Sequence, residues 1–181
     1  RHGKSRKFQK KGVTLFYMLS ELDIVKQNIA RLKNAKYVNL NEYKNLVNLF
    51  ELARKRYELS GEIDKSLKLT SIVKGIATRW APTDIRFFDL YNKCLLFEAP
   101  YIFDSYLLYM EKNRPVEKRF YLPRRKTLYT VVKDLQDLED GNLDFLGVSL
   151  PPRVGKSTLC IFFMSWIMGK RPDSHNAMAG H

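Results

Sequence analysis

Along most of the chain apolar residues return every three or four positions, which lays them on single faces of helices. A first stripe begins after Val13 and runs Leu15, Met18, Leu19, Leu22, Val25, Ile29, Leu32. A second runs Tyr43, Leu46, Val47, Phe50, Ala53, Tyr57, with Asn39 or Asn41 suited to cap its start and Ser60-Gly61 to end it. A third, more polar helix is predicted from Ile63 to Arg79. Pro82-Thr83-Asp84 opens a fourth with Ile85, Phe88, Tyr91 and Leu95 inward, and Pro100 opens a fifth over Tyr101 to Met110, apolar nearly all round and hence buried. The first hundred-odd residues therefore read as an all-helical domain.

The texture then changes. Residues 112–126 carry seven Lys/Arg against one Glu, and Pro115 and Pro123 interrupt any long helix. A further helix with Leu128, Val131, Val132, Leu135 and Leu138 on one face closes at Asp140-Gly141-Asn142. Leu143 to Leu150 (LDFLGVSL) has the length and bounds of a buried β-strand. Pro151-Pro152-Arg153-Val154-Gly155-Lys156-Ser157-Thr158 follows, and then an apolar helix from Leu159 to Met168 that Gly169 would cap and Pro172 would stop. The predicted fold class is mainly α. A helical domain at 13–111 follows a basic arm at 1–12, a basic hinge spans 112–126, and residues 127–181 begin an α/β P-loop ATPase domain with its first strand, loop and helix.

Charge adds a functional clue. The 181 residues hold 32 Lys/Arg against 19 Asp/Glu, a net +13, which favours a polyanionic partner such as nucleic acid. If the arm at 1–12 neutralised about six phosphates, log affinity would fall against log salt with a slope near −5. The apolar stretches are too short to cross a bilayer, and two cysteines, Cys94 and Cys160, make no disulfide framework, so a reducing compartment is expected. The absence of a Met at position 1 and a new apolar segment near His181 read as a piece of a longer protein.

The order strand, Gly-Lys-Ser turn, apolar helix is that of a phosphate-binding loop. Backbone N–H groups at a helix start lack intrahelical partners, and the helix dipole favours an anion there. Gly155 admits close approach, Lys156 reaches β- and γ-phosphates, Ser157 offers a hydroxyl to Mg²⁺, and Thr158 supports the first turn. Leu150 stands where the first Gly of the full motif belongs. Arg1-His2-Gly3-Lys4-Ser5 spells a similar ending but lacks a preceding strand and a following apolar helix. No His has metal-ligand spacing, Cys160 reads as a small core residue, and Asp134, Asp137, Glu139 and Asp140 read as a solvated helix face.

Pro-Pro-Arg-Val-Gly-Lys-Ser-Thr, with the apolar segments on either side and His175-Asn176-Ala177-Met178-Ala179 as a next strand, resembles phage terminase large subunits, the ATPase motors that package DNA into procapsids. The resemblance covers roughly residues 121–181. It implies ATP and Mg as cofactors, held by Val154, Gly155, Lys156, Ser157 and Thr158. Arg153 would sense or stabilise the γ-phosphate and act with Lys156 in catalysis, and Tyr121, Arg124 and Arg125 would lie near the adenine. It further implies double-stranded DNA, a portal and a small terminase subunit as partners, a homo-oligomeric ring, no membrane, and a host-cytoplasmic location with transient docking at the portal. The acidic strand and an endonuclease domain would follow His181, so this chain alone is expected not to hydrolyse ATP. Two alternatives stay open: another nucleic-acid-dependent P-loop ATPase of helicase type, and a non-enzymatic basic helical module that binds DNA or a protein partner.

Overall fold

The computed structural model describes residues 27, 29–32, 34–173 and 175–177. The basic arm at 1–12, most of the first predicted helix and the Gly3-Lys4-Ser5 motif lie outside them. The described residues form helices α1 (Leu40–Ser60), α2 (Ile63–Trp80), α3 (Ile85–Glu98), α4 (Phe103–Glu111), α5 (Tyr121–Glu139) and α6 (Lys156–Lys170), with a short 3₁₀ turn at Val116–Lys118; residues 29–32 are helical as well. The chain divides into two compact units, residues 1–88 and 89–181.

In the first unit, local chemistry sets the ends of α1. The Asn39 side chain accepts from the Glu42 N–H at 3.0 Å while the Glu42 carboxylate accepts from the Asn39 N–H at 2.8 Å, a reciprocal capping box. At the other end Gly61 takes the left-handed conformation (φ 66°) that closes a helix. Leu46, Leu49, Phe50 and Ala53 of α1 and Val73, Ile76 and Ala77 of α2 are buried, and the two helices pack on each other. Leu46, Phe50 and Ala53 of the expected stripe are buried; Leu49 joins them, whereas Tyr57 is exposed.

The second unit is built on α4, which packs against α5 and α6. Its core contains Phe103, Leu107, Tyr121, Leu128, Val132, Leu135, Leu159, Phe163 and Trp166. The Phe103 ring meets those of Phe163 and Trp166 at centroid distances of 5.2 Å, and the Trp166 indole N–H donates to the Ala99 carbonyl at 2.8 Å. Such aromatic contacts add to burial itself.

Several expectations need correction here. In α3 the buried side chains are Phe87, Leu90, Cys94, Glu98 and the expected Leu95, while Ile85 and Phe88 are exposed. The helix is apolar on more than one side, so spacing alone does not select the face. α4 starts at Phe103 rather than Tyr101; Phe103 and Leu107 are buried as expected, but Met110 is exposed and the polar Ser105 and Glu111 are buried. Pro123 does not break a helix; it is the third residue of α5, where the backbone N–H would have no intrahelical partner in any case. Gly169 lies inside α6, whose C-cap is Arg171, and Ile161 and Met168 leave one side of α6 exposed. Glu139 is no solvated acid: its side chain is 6% exposed and forms ion pairs with Arg171 at 2.9 Å and Lys170 at 3.4 Å.

The largest correction concerns the strand. Among the described residues there is no β-strand, so this part of the protein is all-helical, and the β-strand and P-loop expected of an α/β ATPase domain are not seen. Leu146, Val148 and Leu150 are half-buried and alternate with the exposed Phe145, Gly147 and Ser149, and Leu146 and Leu150 pack on the core. The period of two is present, but a strand is defined by hydrogen bonds to a neighbour, and no described segment runs alongside. Residues 175–177 of the second predicted strand are also irregular, and Met178 and Ala179 lie outside the described residues.

Candidate functional site

The candidate site lies entirely in the second unit, where residues 151–155 turn into α6. Gly155 is the residue before the helix and is left-handed (φ 99°), and Arg153 two positions earlier also has positive φ (66°). Positive φ is costly for a residue with a Cβ, so Arg153 holds a conformation that favours glycine. Lys156, Ser157 and Thr158 form the first helical turn and are exposed, as is Arg153; Val154 and Gly155 are half-buried, with Val154 against the core. No side chain caps this helix start. Lys156 and Ser157 thus belong to the same first turn whose N–H groups lack intrahelical partners and where the helix dipole is positive.

A second layer of residues backs the turn. The Phe120 ring lies on Gly155: a Cβ there would overlap Phe120 Cε2 and sit 3.0 Å from Cζ. Phe120 stacks on Phe162 of α6 with centroids 6.1 Å apart and planes 11° from parallel. Two guanidinium groups lie over this pair, Arg114 over Phe162 at 5.5 Å and Arg124 over Phe120 at 5.8 Å. Arg124 also donates to the Phe120 carbonyl at 3.1 Å.

Phe120 is fixed from behind by Glu111, the last residue of α4, which is 2% exposed. One carboxylate oxygen accepts the N–H groups of Phe120 and Tyr121 at 2.5 and 2.8 Å, and the other accepts that of Leu122 at 3.0 Å. This carboxylate serves the start of α5 as a cap contributed from a different helix. Tyr121 is fully buried and its hydroxyl donates to Asp104 at 2.5 Å. Arg125 grips the same carboxylate with two bonds of 2.9 Å. Burial, and then the Asp104 carboxylate, hold the Tyr121 phenol well above its ordinary pKa. The bond to Asp104 raises that of Arg125 further still.

The residues expected near a nucleotide therefore fall into two groups. Arg153, Val154, Gly155, Lys156, Ser157 and Thr158 share one turn and the first turn of α6. Tyr121 and Arg125 are engaged with Asp104, whereas Arg124 stands over the ring that touches Gly155. Phe120, Phe162, Glu111 and Arg114 carry no motif and were not expected; the basic run of 112–126 was the only trace of Arg114. Among the described residues no group of three or more His, Cys, Asp or Glu could hold a metal ion, and no helix is long and apolar enough to cross a membrane. Compared with family models, curated proteins and solved structures, the chain matches none of them.

Proposed function

We propose that residues 153–158 bind the triphosphate of ATP and that the chain is the amino-terminal part of a terminase-like DNA-packaging motor. The observation that carries this reading is the left-handed Gly155 set directly before Lys156, the first residue of an uncapped fifteen-residue helix. In this reading the first-turn N–H groups and Lys156 hold the β- and γ-phosphates, and Ser157 supplies a hydroxyl to Mg²⁺. Arg153, exposed at the front of the turn, contacts the γ-phosphate. It needs no β-strand before the turn, since the donors belong to the turn and the helix.

The wider proposal follows from the sequence resemblance. Double-stranded DNA is the polymer moved, and a portal and a small terminase subunit are partners. The excess of positive charge supports a polyanionic partner. Titration of the chain with a fluorescent ATP analogue and Mg²⁺ tests the site. Saturable binding that Lys156→Ala abolishes supports the reading; binding that the substitution leaves unchanged rejects it.

A further inference from the structure

We propose that Phe120 is a positioning residue of the phosphate turn, and that Glu111 holds Phe120 in place. The inference rests on the ATP reading for its functional consequence, but its structural basis is separate. Gly155 carries two independent constraints. Its φ of 99° disfavours a side chain, and the space its Cβ would occupy is filled by the Phe120 ring. The ring is itself confined. It stacks on Phe162 from α6, the helix that the turn begins, and its backbone N–H is bonded to the buried Glu111 carboxylate.

A connected chain of contacts thus runs from the end of α4, through the start of α5, to the backbone at Gly155. The turn contains two residues with positive φ and is preceded by a segment with no ladder of hydrogen bonds. In a phosphate loop, flanking strands would hold the backbone; here an aromatic wall fixes one side of Gly155. Without it, the amides of residues 155–157 lose their fixed aim at an anion, and misplacement of donors by about an ångström is costly. Phe120 touches no phosphate in this scheme. Its ring sets how closely the turn's backbone can pack against the body of the unit.

The test combines nucleotide affinity with unfolding in the full chain. Phe120→Ala is expected to weaken binding of a fluorescent ATP analogue with Mg²⁺ by about ten-fold or more, while Phe120→Leu, which keeps apolar bulk against Gly155, restores it to within about three-fold. Unchanged affinity in Phe120→Ala, or an equal loss in Phe120→Leu, overturns the positioning role. The contact itself is read without nucleotide. Gly155→Ala should lower the unfolding midpoint more in the unsubstituted chain than in Phe120→Ala, because removing the ring removes the overlap and leaves only the φ penalty. If Phe120→Ala fails to fold, the same comparison is made in Phe120→Leu, where the shift should be intermediate. Equal shifts in every background overturn the backing contact. Failure of the unsubstituted chain to bind the analogue rejects the ATP reading and the functional consequence with it, and the unfolding comparison still decides the contact.

Discussion

Replacing Glu111 by Ala removes the carboxylate that accepts three N–H groups at the start of α5, at 2.5, 2.8 and 3.0 Å. Because Tyr121 is fully buried, its N–H gains no water in exchange. A hydrogen bond to a charged group contributes about 1.5–3 kcal/mol, and an abandoned buried donor costs about 1–3 kcal/mol. Three bonds to one carboxylate do not add fully, and the variant no longer buries an acid, which offsets part of the loss. The net expectation is about 3 kcal/mol, a large share of the stability of an ordinary domain. Glu111→Gln keeps one carbonyl acceptor without the charge and should lose about half as much. Urea unfolding followed by Trp166 emission in a Trp80→Phe background reads this unit alone, since the chain has two tryptophans and Trp166 is buried in the core concerned. A loss below about 0.5 kcal/mol for Glu111→Ala, or a larger loss for Gln than for Ala, would refute the capping role.

Two further outcomes are expected. Tyr121→Phe should cost about 1–2 kcal/mol at neutral pH, from the bond to Asp104. The folded chain holds the Tyr121 proton more tightly than the unfolded chain, so the stability from that bond is intact below about pH 10 and declines as pH rises above it. Unfolding measured from pH 8 to 11 should show a shallower alkaline decline in Tyr121→Phe, with the part due to the half-buried Tyr91 remaining; parallel declines would contradict the assignment. In the motor proposed above, Arg153→Ala should slow ATP hydrolysis more than it weakens ATP binding, and equal losses of both would rule out a γ-phosphate contact.

Signals that act over a few residues were legible in the sequence. Asn39, one of the two caps offered, starts α1, Gly61 ends it, and Pro172 follows α6, because capping and helix termination depend on near neighbours. Faces were harder. In α3, Ile85 and Phe88 compete with Phe87 and Leu90 for the inward position, and tertiary contacts choose between them. Leu143 to Leu150 was read as a buried strand from its length and bounds; Leu146, Val148 and Leu150 do turn inward, but Leu143 and Phe145 are exposed, and a strand also needs a partner. The Gly-Lys-Ser turn was visible because its residues are contiguous. Its backing by Phe120, thirty-five positions earlier, leaves no trace in spacing or composition.

The most direct measurement is an equilibrium titration of the full chain and its Lys156→Ala variant with a fluorescent ATP analogue in Mg²⁺, with unfolding midpoints recorded for both. The account predicts saturable binding by the unsubstituted chain and none by the variant, at matched stability, because Lys156 is exposed and supports no core contact. An unsubstituted chain that fails to bind, or a variant that binds equally well, would contradict it.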